Sequence, residues 1–214
     1  MEFLVLILLF LQTVLSHPDE GLSIKKLVRK HGYPIESHRF ETPDGYLLKA
    51  YRIPHGKSGI PSKRVALLVH GCGGTAENFI VLGPPNAMVF YMADRGYDVW
   101  LFNARGNRHS RKHRTLSPNR NAKKFWNFSF HEIGIYDLPT TIEYVLNYTK
   151  AKKLFYVGHS QGGTSFYIML SERPELNKKI SAAALLAPAS HLEYTLTPMF
   201  FSFARMIRMI KVNN

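Results

Sequence analysis

Lys153-Leu154-Phe155-Tyr156-Val157-Gly158-His159-Ser160-Gln161-Gly162-Gly163 is the stretch whose reading decides the fold. Residues 153–157 form a short apolar run, the pattern of a strand buried on both faces. Gly158 to Gly163 then predicts a tight turn, and Thr164 to Glu172 a helix stopped near Pro174. Inside the turn, Gly158-His159-Ser160-Gln161-Gly162 fits G-x-S-x-G, in which a serine sits on a strained strand-to-helix elbow with its hydroxyl exposed. Side chains at the flanking glycines would clash with the neighbouring strand and helix. The pentapeptide alone is a weak signal; a buried strand before it and a helix after it make it specific.

The same alternation extends upstream. Segment 38–53 alternates around Pro43-Asp44-Gly45 and predicts a β-hairpin. Arg64 to His70 (RVALLVH) is a continuous apolar run closed by Gly71, a third strand. Asn86 to Arg95 reads as a helix stopped by Gly96, and Tyr97 to Phe102 as the next buried strand. Asp137-Leu138-Pro139 opens a helix running to about Asn147, with Asp137 as its N-cap. Downstream, Ser181 to Ala187 (SAAALLA) is a further short buried strand. Strands and helices alternating after a hairpin define an α/β fold with a mainly parallel sheet.

A serine hydroxyl is almost un-ionised at neutral pH, so a nucleophilic Ser160 needs a base for its proton and donors for the oxyanion it creates. After such an elbow one donor is the backbone N–H of the next residue, Gln161. The second comes from the loop after the third strand, His70-Gly71-Cys72-Gly73-Gly74, and Cys72 is the choice within it. The Cys72 sulfur itself has no elbow around it and reads as a small apolar residue. His70 and His159 read as packing or hydrogen-bonding residues beside their turns rather than as the base. His109 and His113 have i, i+4 spacing but no third ligand nearby, so no metal is expected.

The chain has 214 residues, 45% of them hydrophobic and 13% aromatic, enough to bury one sizeable core. Phe3 to Leu15 is apolar but too short to span a bilayer, and residues 1–16 are expected to be a signal peptide. The sequons at Asn127 and Asn147 agree with passage through the secretory route, to the outside or to the lysosomal lumen. The single cysteine precludes an internal disulfide. The net charge of +13 raises a nucleic-acid reading, concentrated in Arg105, Arg108, Arg111, Lys112 and Arg114. That run matches no nucleic-acid-binding signature and is expected to be a solvated basic loop, with peripheral attraction to lipid surfaces as its alternative use.

In its motifs the chain resembles the acid lipase family of lysosomal and gastric lipases. The resemblance rests on residues 96–107 (GYDVWLFNARGN), then Ser110-Arg111-Lys112-His113, Phe125-Trp126, Phe128-Ser129, Tyr136-Asp137-Leu138-Pro139 and 156–162 (YVGHSQG). It covers about residues 24–200 in conserved order and implies an α/β-hydrolase fold. It further implies cleavage of lipid acyl esters, triacylglycerols or sterol esters, by a Ser-His-Asp mechanism without metal or cofactor, with Gln161 and the residue after His70-Gly71 in the oxyanion hole. Where this chain has Cys72, the family usually has leucine. On this resemblance residues 17–190 are a partial core, truncated after about the sixth strand, and 191–214 begin a lid whose first amphipathic helix covers 199–212. The family's acid and histidine come later in the chain than Ser160. After Ser160 only His191, Glu172, Glu175 and Glu193 are available, and none matches. A lipase without those partners is expected to be nearly inert, and the alternative is a lipase-like protein that at most binds lipid. The sequence leaves the oligomeric state open.

Overall fold

A computed structural model of the chain describes residues 19, 21–61 and 63–190. The expected signal peptide at 1–16 and lid segment at 191–214 lie outside the described residues. Six strands form one sheet: β1 (Glu36–Glu41), β2 (Leu47–Ile53), β3 (Arg64–Val69), β4 (Tyr97–Leu101), β5 (Leu154–His159) and β6 (Ile180–Leu186), in the order β1-β2-β4-β3-β5-β6. The hairpin β1–β2 and its junction with β4 are antiparallel, whereas β4, β3, β5 and β6 run parallel.

The apolar runs have a simple cause. On β3, Val65, Leu67 and Val69 face one core, while Ala66 and Leu68 face another. The first core is closed by α5 (Leu138–Thr149) and α6 (Gln161–Glu172), through Leu138, Ile142, Val145, Phe166 and Met169. The second is closed by α1 (Ile24–Lys30) and α2 (Met88–Asp94), through Leu27, Val28, Val89 and Phe90. With helices on both faces, both faces of a central strand are inside, and alternation disappears from the sequence. The hairpin turns where expected: Gly45 sits at φ +94, and its N–H bonds Thr42 O at 2.8 Å.

Three local expectations are corrected. The helix after the elbow begins at Gln161, not Thr164, so the turn is shorter than its glycines suggested. Gly162 and Gly163 are poor helix formers, but they occupy the first turn because tertiary contact leaves no room for a side chain there. Asp137 is not an N-cap: its backbone is helical and its side chain makes no cap bond. The helix instead starts at α4 (Phe130–Glu132) and passes through a π-helical turn (Ile133–Asp137) into α5. Its cap is Ser129, reciprocated by Glu132, a capping box. Third, Ser181 to Ala184 on β6 are exposed, not buried. As the outermost strand, β6 has a partner on one side among the described residues. Between the remaining elements lies α3 (Ala122–Phe125), which leads into Trp126. Among the described residues no helix is long and apolar enough to cross a membrane.

Candidate active site

Ser160 is the single residue between β5 and α6, at φ 50 and ψ −117. That backbone conformation is unfavourable for any residue with a Cβ, and it persists because the surroundings fix it. The Ser160 N–H donates to Leu186 O at 2.9 Å, tying the elbow to the end of β6. A Cβ on Gly162 would stand 2.5 Å from Val69 O, and one on Gly163 2.6 Å from Pro188 Cβ. At Gly158 an added Cβ would stand 2.8 Å from the Tyr156 ring and 2.9 Å from the Gly162 backbone. Buried Tyr156 adds a bond from its hydroxyl to Gly162 O at 2.7 Å. Sterics thus account for each glycine the motif contains.

The loop after β3 packs directly on this elbow. A Cβ on Gly71 would stand 3.0 Å from Ser160 Cβ. Cys72 follows, and it is exposed rather than packed inside. His70 secures the loop from below. The Ala104 N–H, which can only donate, bonds His70 Nε2 at 3.2 Å, so the ring proton is on Nδ1, which donates to Gly71 O at 2.8 Å. Burial holds the His70 pKa below its ordinary value. A neutral histidine with both nitrogens committed is a structural pin, as the sequence suggested. His159 is exposed at the end of β5. Among the described residues no histidine hydrogen-bonds to Ser160 Oγ.

Both proposed oxyanion donors open on one cleft of about 870 Å³. Cys72 to Thr75 and Gln161 line it together with an aromatic wall of Trp126, Phe128 and Phe130. Residues 104–108 also line the cleft, as its floor, and the loop 103–110 that carries them owes its shape to polar side chains. Asn103 Oδ1 accepts from Ala76 N–H at 3.0 Å and from Asn107 Nδ2 at 3.1 Å, while Asn103 Nδ2 donates to Lys49 O at 3.0 Å.

Arg105 is the largest departure from the sequence reading. It was expected in a solvated basic loop, yet its side chain is 1% exposed, between Asp44 and fully buried Asp137. Its Nε and backbone N–H both donate to Asp137, at 2.8 and 2.9 Å, and two further N–H groups reach Asp44. Burial raises the Asp137 carboxyl to about 6 even against the attraction of Arg105. Burial opposes the charge on Arg105, but the two carboxylates outweigh it and hold the guanidinium firmly protonated. Tyr46 completes the layer, its ring 4.1 Å from the guanidinium and its hydroxyl bonded to Phe125 O.

Arg108 and His109 are also tied, both to Glu77 in the 3-10 turn Ala76–Phe79, at 2.6 and 2.9 Å. Burial works to raise the Glu77 carboxyl, but hydrogen bonds from His109 and Thr75 and the His109 charge bring it down to about 2. The sequence reading missed these partners because Asp44, Glu77 and Asp137 lie 31 to 61 residues from the side chains they hold. The one local clue was Ser129-x-x-Glu132 ahead of an apolar run. His109 and His113 do not converge on a third ligand; among the described residues no cluster of His, Cys, Asp and Glu is arranged to hold a metal.

Comparison with known proteins agrees with this geometry. Residues 65–211 match the model of the alpha/beta hydrolase fold, and residues 24–83 match that of a partial alpha/beta-hydrolase lipase region. The chain is 49% identical to Lipase 1 of Drosophila melanogaster over 83% of its own length and 39% of that protein's. It is 45% identical to mouse lipase member K, covering 88% of this chain and 48% of the relative. To gastric triacylglycerol lipase of Bos taurus it is 43% identical, covering 87% and 47%. The chain therefore spans less than half the length of these three relatives. Among solved structures, the esterase Pf2001 of Pyrococcus furiosus superposes with a TM-score of 0.59 at 19% identity, over 86% of this chain and 63% of the esterase, a likeness of fold alone. From its sheet order, its elbow and these matches, the chain belongs to the α/β-hydrolase family, in its acid-lipase branch.

Proposed function

We propose that the chain carries the nucleophile and oxyanion-binding part of a serine hydrolase that cleaves acyl esters of lipids. Ser160 Oγ attacks the ester carbonyl and gives its proton to a base. The carbonyl oxygen, now negative, is held by the N–H groups of Cys72 and Gln161. The alcohol leaves with a proton, and water releases the acid from the acyl-enzyme. The observation that carries the reading is Ser160 in its strained elbow, beside a cleft that both donor residues line. The aromatic wall suits an acyl chain, and the names of the relatives favour triacylglycerols; a sterol ester would suit the same wall. The general base and its acid are to be sought outside the described residues.

Phosphonylation by a fluorophosphonate probe tests this. We expect slow modification at Ser160, accelerated by added imidazole acting as an external base, and absent from Ser160→Ala. Modification that persists in the variant would refute the assignment. A folded chain that resists the probe even with imidazole would favour the second reading, a lipase-like protein that binds lipid without cleaving it. Residues 1–16 as a signal peptide, a secreted or lysosomal destination, and glycans on Asn127 and Asn147 belong to the same proposal. Both asparagines are exposed, which supports the last point. A mass shift on enzymatic deglycosylation of the chain from secretory cells would test it.

A further inference from the structure

Lys63-Arg64, Lys152-Lys153 and Lys178-Lys179 are three dibasic pairs, and each stands where a strand of the parallel sheet begins. Arg64 opens β3, Lys153 directly precedes β5, and Lys179 directly precedes β6. Far apart in the sequence, the pairs are brought together by the strand order, in which β3, β5 and β6 are consecutive neighbours. Because these strands run parallel, all three pairs stand at one end of the sheet. Ala66 pairs with Phe155 and Leu154 with Ile180, so the register continued upstream aligns Arg64 with Lys153 and Lys153 with Lys179. Neighbouring strands are about 4.8 Å apart, which makes a backbone row about 10 Å long. The elbow lies at the other end of β5, about 20 Å away at the rise of an extended strand.

Little at this end neutralises the row. Glu143 pairs with Lys179, and Arg64 donates to Arg95 O at 2.5 Å with its guanidinium over the Tyr97 ring. Of the carboxylates at the ends of the flanking helices, Asp94 accepts from the Tyr33 hydroxyl and the Lys57 N–H, and Glu175 pairs with Arg173. Glu172, at the end of α6, forms no ion pair among the described residues. Lys63, Lys152, Lys153 and Lys178 are exposed and form none either. Like charges gathered on one edge repel one another and attract a polyanion. The row is straight and mostly lysine, a compact charge on a flexible stem, which suits a linear polymer with many separate anionic groups better than one small anion. Within the row no exposed aromatic ring offers a base something to stack on, since Tyr97 lies under Arg64, and no large apolar side chain is there to enter a lipid layer. We propose that this end of the sheet, through Lys63, Arg64, Lys152, Lys153, Lys178 and Lys179, binds a linear sulfated polysaccharide. The secretory destination proposed above would bring the chain into contact with such polymers. The row owes nothing to Ser160 and leaves the cleft open at the far end of the strands.

Heparin is the probe, used with the full chain. Binding should be strong at low salt and weaken as salt is added. The variant Lys63→Gln, Lys152→Gln, Lys153→Gln, Lys178→Gln should lose about a hundredfold in heparin affinity, as expected when four counterion-releasing contacts are removed. A control variant of the same net charge, Lys26→Gln, Arg29→Gln, Arg120→Gln, Lys124→Gln, should lose no more than about threefold, the effect of distant charges through screening salt. A footprint on the wild type guards against misfolding of the variants. Bound heparin should shield Lys63, Lys152, Lys153 and Lys178 from acetylation by an N-hydroxysuccinimide ester, read by mass spectrometry, and leave Lys26 and Lys124 as reactive as before. Equal losses in the two variants, an unshielded row, or tighter binding to duplex DNA than to heparin at the same salt would overturn the proposal. Because Ser160 plays no part in either readout, the hydrolase reading and this one fail separately.

Discussion

Two loops border the cleft and are built on different principles. The elbow, Gly158 to Gly163, is fixed by sterics: backbone from β3 and the Pro188 ring press on positions that carry no side chain. The floor, residues 103–110, is fixed by polar side chains: Asp137 and Asp44 hold Arg105, Glu77 holds Arg108 and His109, and Asn103 crosses to Lys49 and Ala76. The first device asks of the loop only that it carry glycines where its neighbours press, so it is written in the loop's own residues. The second depends on charges delivered from other elements, in a medium where an unpaired charge is costly.

If this contrast is right, the most damaging single change lies in the floor. Asp137→Ala leaves the Arg105 guanidinium buried with half its partners and should cost about 4 kcal/mol in urea unfolding. A loss below about 1 kcal/mol would mean that the pair merely balances its own desolvation. In the elbow, Gly162→Ala forces a methyl against Val69 O and should cost about 3 kcal/mol, with fluorophosphonate modification of Ser160 lost alongside.

A third test separates the two principles by pH. Glu77 has its folded-state pKa held at about 2, below its ordinary 4.5, so its stabilisation is complete above the ordinary value and disappears as pH falls through that window. Glu77→Gln should therefore be about 2 kcal/mol less stable than wild type near neutrality, and the gap should close as the pH is lowered from about 4.5 toward 2. Parallel curves would refute the lowering of the Glu77 carboxyl by its neighbours. The smallest effect is expected at Gly73, where an added Cβ meets nothing within 4 Å but φ is +68. Gly73→Ala should cost only about 1 kcal/mol of backbone strain in thermal melts, against the larger steric penalty at Gly162.

The same contrast explains what could be read from sequence. The six strands, the hairpin turn and the elbow were legible because apolar runs, alternation about a turn and glycine turns write themselves into consecutive residues, although β6 proved exposed. Helix α6 was placed three residues late because Gly162 and Gly163 have low helix propensity, a local signal overridden by contact with β3 and Pro188. Asp137 was misread for a similar reason: an aspartate two residues before a proline looks like a cap, and its actual partner lies 32 residues away. Arg105 belonged to a run of cations whose chemical types are alike but whose burial differs completely, from 1% for Arg105 to 66% for Arg108. Trp126 and Phe128 carry the family resemblance in sequence, but nothing local to them shows that they line one cleft with Gln161.

The backbone at position 160 has one more implication. At φ 50 and ψ −117 a glycine would be at ease, whereas a serine keeps the fold under tension. Ser160→Gly should therefore melt at a higher temperature than the wild type while losing the hydroxyl altogether. A residue that makes its protein less durable, at a site where the most permissive amino acid would fit, marks a trade of robustness for reactivity.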